Sequence, residues 1–391
     1  MKDSNILIVT NYFAPEMGAA PNRMFLLCNN LSMRGYKPIV ICPIPNYPKS
    51  KVYDGYKNKI ILKEQIKKLS LIRPLIYSSN SSNKLKRVIS MFSFALWLVL
   101  LIPYCVIVYS PKKIIIQSPP LVVGFVGVLL GRLFRREVIL NVSDLWPKTA
   151  LELGFFNKGL LYWLLLIIEK NMYTLSNKIL CQSEEIILHI RCLAKKSKLF
   201  LYRNLTKENV EHLEIEQTEV RLIYAGLLGH AQGMYKIVQK VNFSKLNIYL
   251  DIYGDGYERD SIVNFIKDKT HINYKGVIKR EQLLHQYKYY NLALVPLSTP
   301  IYGAVPSKIY ELINNHIPII YCGSGEAAKI ILDNNVGSVI GSEDFETMEQ
   351  VLLDIRSNLE ILKEFKKNTI FSSTIIFNFD TQFDNFLKFI K

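Results

Sequence analysis

The sequence predicts an α/β protein made of two successive domains, each built around a parallel sheet. At 391 residues, the chain is longer than one ordinary hydrophobic core supports. A strand, loop, helix, strand order begins at residues 6–9 and begins again at 221–226. The polar, acidic stretch 206–218 between them is typical of a linker. We therefore expect an N-terminal domain at 1–204, a linker at 205–219, a C-terminal domain at 220–372 and a closing helix at 373–391.

Composition narrows the possible partners. The net charge of +16 indicates an anionic partner, such as a phosphorylated substrate or an anionic membrane surface. The basic residues form no arm or recognition helix, and no nucleic-acid motif is present. The six cysteines and six histidines show no metal-type spacing, so we expect no metal site and a reducing compartment. No signal peptide precedes the first strand, which favours a cytosolic location.

The first strand, at 6–9, leads into a loop of small residues at 10–20 and then a helical pattern at 21–34. Ligands of parallel α/β sheets bind beyond the carboxyl ends of the strands. Gly18 in this loop would let the backbone approach a ligand closely, although it is equally consistent with a tight turn. Asp144 follows the strand at 137–142. Its carboxylate is placed either to bind a substrate hydroxyl or to cap the next helix.

The stretch 43–58 is a long loop rich in proline, lysine and tyrosine. Loops of this length inside compact domains are often functional. Its tyrosines, Tyr47 among them, have three interpretations that the sequence leaves open: stacking on a sugar, contact with a membrane interface, or packing on the domain surface.

The most apolar run, 88–108, carries no charge and reaches the length of a membrane-spanning helix. It is a span, a helix dipping into one leaflet, or an unusually apolar domain helix. We expect Pro103 to interrupt it, and a span would separate two halves of one α/β domain. In-plane or shallow attachment is therefore favoured, with basic residues reaching lipid phosphates; these are Lys84, Lys86, Arg87, Lys112 and Lys113.

In the C-terminal half, the stretch 305–320 predicts a short helix followed by a buried strand. Ser307 is the expected N-cap, after Pro306, and Pro318 ends the helical run. The backbone amides of 307–309 and the charge of Lys308 are suited to a phosphate. Glu311, one turn further, is placed to accept hydrogen bonds from two neighbouring hydroxyls, as on a ribose. An ordinary surface Lys/Glu pair has the same spacing.

Taken together, these motifs resemble those of the retaining glycosyltransferases of family 4, and in particular the subgroup that contains bacterial N-acetyl-L-fucosamine transferases. The resemblance covers nearly the whole chain. Its motifs are Tyr12–Glu16 with Gly18 and Arg23, Pro45–Pro48, Ser118–Pro120, Asp144–Pro147, Tyr224–Gly226 with Gln232–Gly233, Tyr253–Gly256 and Pro306–Glu311.

This resemblance implies the GT-B architecture, with two Rossmann-like domains facing across a cleft and a C-terminal helix closing back toward the first. It implies a nucleotide-sugar donor linked to UDP, and neither a metal nor another cofactor. Asp144, Lys308 and Glu311 are the implied catalytic residues. The implied donor-binding residues are Gly18, Gly226, Gly254, Val277, Ile278, Ser307, Lys308, Ile309 and Glu311.

The chain departs from the family pattern at three positions. Glu311 matches the second glutamate of the E-x7-E motif, but the first is replaced by Gly303. Leu227 and Gln232 stand where many members place Arg and Lys. We therefore expect Lys308 and the amides of 307–309 to take over phosphate contacts.

The leading hypothesis is a retaining, metal-independent transferase that moves a sugar, an N-acetylated or deoxy aminosugar, to a polyprenyl-diphosphate-linked saccharide for O-antigen or capsule. We expect it on the cytoplasmic face of the bacterial inner membrane, as a peripheral or monotopic protein. One alternative is a nucleotide-sugar 2-epimerase of the same fold, although such an enzyme would be expected to lack the 88–108 run. The other is a non-catalytic, membrane-bound nucleotide-sugar-binding protein.

Overall fold

The computed structural model describes residues 5–47, 50–78, 84–152, 154, 157–207, 219–299 and 301–391. Within the long apolar helix, the side chains at 84–88 and 91 lie outside this description, and with them the predicted lipid contacts of Lys84, Lys86 and Arg87. Most of the predicted linker, at 208–218, lies outside it as well. The chain divides into two compact units, residues 1–203 with 389–391 and residues 204–388.

The first unit is an α/β unit around an eight-stranded sheet. The strands have the order β3-β4-β2-β1-β5-β6-β7-β8, and only β3 runs antiparallel to its neighbour. Its elements are β1 (Asn5–Val9), α1 (Ala19–Met33), β2 (Lys37–Ile41), β3 (Ile61–Ile66), β4 (Leu69–Pro74), α2 (Lys84–Tyr109), β5 (Lys113–Ser118), α3 (Leu121–Leu133), β6 (Glu137–Val142), α4 (Lys148–Glu152), α5 (Leu160–Leu175), β7 (Lys178–Cys181), α6 (Glu184–Leu193) and β8 (Lys198–Leu201).

Helix α2 corrects one expectation, because Pro103 lies inside it and does not end it. The buried face includes Phe94, Leu98 and Ile102 before or next to the proline and continues with Cys105 after it. Packing of this continuous face outweighs the local cost of a proline that lacks an N–H donor.

The second unit contains a six-stranded, fully parallel sheet of order β11-β10-β9-β12-β13-β14. Its strands are β9 (Val220–Ala225), β10 (Ile248–Tyr253), β11 (Ile272–Gly276), β12 (Leu292–Pro296), β13 (Ile319–Cys322) and β14 (Gly337–Ile340). Its helices are α7 (Met234–Lys240), α8 (Phe243–Leu246), α9 (Arg259–Ile266), α10 (Arg280–Gln286), α11 (Ser307–Asn314), α12 (Glu326–Asp333), α13 (Phe345–Ser357) and α14 (Glu360–Phe371), with a 3-10 turn at Tyr287–Tyr289 and a π-helical turn at Ser372–Ile376. The last helix, α15 (Phe379–Ile390), belongs to the second unit up to residue 388.

The predicted class, α/β with two parallel-sheet domains, is confirmed. In both sheets the strand order reverses beside the first strand, between β1 and β5 and between β9 and β12. Such reversal points open a crevice at the carboxyl ends of the strands, where doubly wound folds bind ligands. The central strands are apolar and buried because helices cover both faces; Ile6 to Val9 in β1 are each at most 1% exposed.

Candidate active site

The N-terminus of α11 lies in the second unit, after β12. The helix begins at Ser307 with Pro306 as its N-cap, and the cap makes no side-chain hydrogen bond. The predicted N-cap role of Ser307 is therefore wrong: the extended backbone of Pro306 already starts the helix, so Ser307 is the first helical residue. The Ile309 amide donates to the Pro306 carbonyl at 3.0 Å. Of the three predicted phosphate donors, this leaves the Ser307 and Lys308 amides as the better placed.

Glu311 is a buried carboxylate at the centre of a charged cluster. Its side chain is only 8% exposed. Oε1 accepts hydrogen bonds from Lys308 Nζ and from the Tyr287 hydroxyl, each at 2.7 Å. Arg280 Nη1 lies 3.3 Å from Oε2. Lys308 and Glu311 do form an i,i+3 pair, but the burial of the carboxylate and its two further partners distinguish it from an ordinary surface pair.

Electrostatics keep this buried carboxylate ionised. Burial acts to raise the pKa of Glu311, but attraction to Lys308 and Arg280 and the hydrogen bonds lower the pKa below its usual value. Lys308 also lies 3.3 Å from the Tyr287 hydroxyl, so its ammonium is held between an anion and a phenol. A Lys308 that turned toward a phosphate would expose an acceptor position on Glu311 for a hydroxyl donor.

Sequence reasoning missed Arg280 and Tyr287. Arg280 is the first residue of α10, and Tyr287 is fully buried in the following 3-10 turn. Both lie far from Glu311 in the sequence, and no spacing rule links them. Their only sequence signal was the position of α10 after β11, at a carboxyl end of the sheet.

The loops after β9 and β10 interlock at the same edge of the sheet. Gly254 has φ of 139°, and a Cβ added there would come within 1.8 Å of the Gly226 carbonyl oxygen. Any side chain at Gly254 would force these two loops apart. Ser298, after β12, donates to the carbonyl of Ala231 at 2.9 Å, which brings the third loop to the reversal point. Gly226 and Gly254 therefore shape this edge through their backbones.

Val277 and Ile278 follow β11 in a short loop before α10. Val277 is 72% exposed. The preceding carbonyl of Gly276 accepts a bond from the Gly254 amide at 3.0 Å, so the loop is anchored to the same edge.

In the first unit, Asp144 lies after β6 beside a buried arginine. Helix α4 begins four residues later, at Lys148, so Asp144 is not its N-cap. Burial raises the pKa of Asp144 to about 6, against the attraction of Arg23. Arg23 on α1 is 8% exposed and donates to Gln182 Oε1, after β7, at 2.9 Å. Asp144, with its raised pKa and its charged neighbour Arg23, is an ionisable group of the kind found at functional sites. It lies at the ligand-binding edge of the sheet.

Gly18 lies in the same unit, as the N-cap of α1, with φ of 139°. The structure groups Gly18 and Asp144 in one unit. It groups the residues from Gly226 to Glu311 in the other. Among the residues that the structure describes, no three His, Cys, Asp or Glu side chains are arranged to hold a metal ion.

Comparison with known proteins identifies the fold of the chain. No family model and no curated protein sequence matches the chain. Among solved structures, it is similar to sucrose-phosphate synthase of Thermosynechococcus elongatus, with a TM-score of 0.72, 13% identity and coverage of 97% of this chain and 96% of that one. The chain has a GT-B glycosyltransferase fold.

Two further similar structures have the same fold. HepE of Anabaena, in complex with UDP and glucose, has a TM-score of 0.66 and 11% identity over 99% of both chains. WaaG, a glycosyltransferase involved in lipopolysaccharide biosynthesis, has a TM-score of 0.63 and 11% identity over 95% of both chains. At these identities, the similarity establishes the GT-B architecture. The activity has to be inferred from the residues of the site.

Proposed function

We propose that the chain is a retaining, metal-independent glycosyltransferase of family 4 that transfers a sugar from a UDP-sugar to a polyprenyl-diphosphate-linked saccharide. The observation that carries this proposal is the Glu311 cluster, a buried, ionised carboxylate with Lys308 at the start of α11. UDP in the similar HepE structure supports the choice of nucleotide.

The donor site follows from the charges of this cluster. Glu311 accepts hydrogen bonds from the ribose hydroxyls, and the loop of Val277 and Ile278 contacts the base. Lys308 and the amides of Ser307 and Lys308 stabilise the negative charge that develops on the departing diphosphate. Preorganised electrostatic stabilisation of this kind needs no enzymic nucleophile.

The acceptor site is assigned to the first unit. Asp144, when ionised, accepts a hydrogen bond from the acceptor hydroxyl and orients it for attack on the anomeric carbon. Retention of configuration follows if the hydroxyl attacks from the face of the leaving group, with a diphosphate oxygen taking its proton.

Membrane attachment is proposed through an apolar outer face on α2, α3 and α5. These helices pack side by side, α3 in the middle. Helix α2 contains an 18-residue apolar window, Phe92–Tyr109, that is long enough to cross a membrane by length and composition. Large exposed apolar side chains on the three helices include Leu96, Leu100, Ile107, Leu129, Leu133, Leu160, Trp163, Leu164 and Ile167.

The buried side of α2 favours attachment in the plane of the membrane. Phe94, Leu98 and Ile102 are fully buried within the unit, which a helix surrounded by lipid would not allow. Lys113, expected to contact lipid phosphates, is instead paired with Glu137, an ion pair shared with Lys178 at 2.6 Å. Contact with the membrane therefore rests on apolar side chains more than on this lysine. We place the protein on the cytoplasmic face of the inner membrane, in O-antigen or capsule assembly.

A donor screen tests the proposal. Purified protein in detergent is incubated with a panel of labelled UDP-sugars and lipid-diphosphate-linked saccharides, and the product's anomeric coupling is read by NMR. Transfer with the donor's configuration retained supports the proposal. Release of a free 2-epimerised sugar nucleotide would indicate the epimerase, and tight UDP binding without turnover across the panel would indicate a binding protein.

A further inference from the structure

A pair of tyrosines lies at the carboxyl ends of two neighbouring strands in the first unit. Tyr12 follows β1 and Tyr47 belongs to the long loop after β2, and these two strands pair in parallel. The ring centroids are 5.1 Å apart, with an edge-to-face angle of 62°. Tyr47 is 40% exposed. An aromatic surface therefore faces solvent at the edge of the sheet where doubly wound folds bind ligands.

A buried carboxylate fixes this pair. Glu16 is 5% exposed, and burial raises its pKa. Its Oε1 accepts from the Asn46 and Tyr47 amides at 2.8 and 2.9 Å, and its Oε2 accepts from the Phe13 amide at 3.2 Å. One carboxylate thus ties the loop of Tyr12 to the backbone of Tyr47. Burying a carboxylate is unfavourable unless such donors compensate it.

A second buried charged residue, Arg73, contacts the same two loops, those after β1 and β2. Arg73 on β4 is fully buried and pairs with Glu64. It donates to the carbonyl of Pro43 at 3.2 Å and to that of Ala14. Two tyrosines could pack on a surface without any buried charged residue, whereas the loops that carry this pair are held by two, Glu16 and Arg73. They indicate that the position of the loops is itself functional.

The backbone of Tyr47 is also held from its own loop. The Tyr53 hydroxyl donates to the Tyr47 carbonyl at 2.6 Å. On the other side the ring borders Gly18, where an added Cβ would lie 3.4 Å from Cε1 of Tyr47, at ordinary contact distance. The backbone that carries the exposed aromatic ring is therefore fixed by hydrogen bonds at both its N–H and its carbonyl.

We propose that Tyr47, with Tyr12 behind it, is a stacking subsite for the saccharide ring of the acceptor. A sugar ring has apolar C–H faces that pack on an aromatic ring and hydroxyls that need polar partners at its edge. Tyrosine supplies both, with a rigid apolar body and a phenolic hydroxyl. Glu16 is a positioning residue that acts through Tyr47. This inference rests on the proposed function for the identity of the acceptor.

The test separates binding of the sugar from turnover. The full-length protein is mixed with synthetic phenoxyundecyl diphosphates that carry a hexosyl or an N-acetylhexosaminyl group, and with the same lipid diphosphate without a sugar. Saturation-transfer NMR reads contact with the sugar ring protons. The variants are Tyr47→Ala, Tyr47→Phe and Glu16→Gln. Tyr289→Ala is a matched control, since Tyr289 in the second unit is 41% exposed.

The wild-type protein is expected to saturate the sugar ring protons. Tyr47→Ala should lose that signal and weaken binding of the sugar-bearing lipids by about tenfold, with Tyr47→Phe and Tyr289→Ala within about twofold of wild type. Binding of the sugar-free lipid should be unchanged. In transfer assays, Glu16→Gln should raise the KM for the acceptor while the KM for the donor and kcat stay near wild type.

Unaltered sugar-ring saturation in Tyr47→Ala, or none in the wild type, would overturn the subsite. Loss of saturation in Tyr47→Ala from a protein that transfers no sugar would support the subsite and reject the transferase. Transfer by wild type and Tyr47→Ala with equal acceptor KM would reject the subsite and leave the transferase standing. Circular dichroism and UDP binding confirm that each variant is folded.

Discussion

Lys308 Nζ and the Glu311 carboxylate are 2.7 Å apart, and the carboxylate is almost completely buried. The same chain offers a natural comparison in Lys363 and Glu360, which have the same i,i+3 spacing at 2.6 Å but are each 74% exposed. The two pairs differ in burial and in their further partners, so one serves as a control for the other.

Lys308 and Arg280 should affect different kinetic constants. Lys308→Met should lower kcat by about 100-fold or more, because it removes a charge that acts on the departing diphosphate. Arg280→Met should mainly raise the donor KM by a few-fold, since Arg280 orients Glu311. Steady-state kinetics over UDP-sugar concentration separates the two. Lys363→Met should leave both constants unchanged, and a shared loss of kcat in both site variants would contradict this division of roles.

Transfer should depend on pH through Asp144. Its pKa of about 6 means that the ionised form that binds the acceptor hydroxyl accumulates as pH rises through 6. The kcat/KM for the acceptor should therefore rise with pH across this range. Arg23 opposes the upward shift, so Arg23→Gln should move the acid limb to higher pH. If the acid limb of the pH profile were unchanged in both Arg23→Gln and Asp144→Asn, it would belong to the titration of another group.

Asp144→Asn should stabilise the folded protein while it impairs transfer. The pKa of Asp144 is raised from 3.8 to about 6 on folding, so ionisation destabilises the folded state as pH rises from 3.8 to 6. At pH 7.5 this cost is on the order of 2–3 kcal/mol, with the attraction of Arg23 already included in the pKa. Urea unfolding at pH 7.5 and pH 4 measures it, and the gain should shrink at pH 4.

The exposed Asp268 provides the control for that comparison. Asp268→Asn should change the free energy of unfolding little at either pH. A lower stability of Asp144→Asn at pH 7.5 would show that Asp144 is a structural residue whose charge is fully compensated.

The apolar face should hold the protein on membranes. On α5, Trp163 and Ile167 are 66% and 54% exposed. Trp163→Glu with Ile167→Glu should move the protein to the soluble fraction on flotation with anionic vesicles, because charged side chains resist burial among acyl chains. Leu332→Glu with Leu353→Glu, at exposed positions of the second unit, should have no effect. Equal flotation of the two double variants would reject this face.

Sequence reasoning predicted most of the fold because the central strands are continuous apolar runs. It missed the hairpin β3–β4, since β3 reads Ile-Leu-Lys-Glu-Gln-Ile and its residues alternate between exposed and partly buried. It also misjudged Pro103, where the packing of α2 overrides a local break. The domain limits drawn from composition stay predictions.

The candidate site was predictable where a motif is local. Lys308 and Glu311 lie three residues apart on one helix, and their motif places them together. Arg280 and Tyr287 reach the same carboxylate only through the strand order of the sheet, which no local pattern encodes. The hydrogen bond from the Tyr47 amide to the Glu16 carboxylate joins residues 31 positions apart, and the sequence did not predict it for the same reason.

The buried Glu311 carboxylate and its cationic partners are expected to bind a nucleotide-sugar for transfer. The most direct measurement is the rate of sugar transfer from the labelled UDP-sugar to the lipid-linked acceptor by wild type, Glu311→Gln and Glu360→Gln. Wild type and Glu360→Gln should transfer the sugar, and Glu311→Gln should lose about 100-fold in kcat/KM. Equal transfer by all three proteins would contradict this expectation.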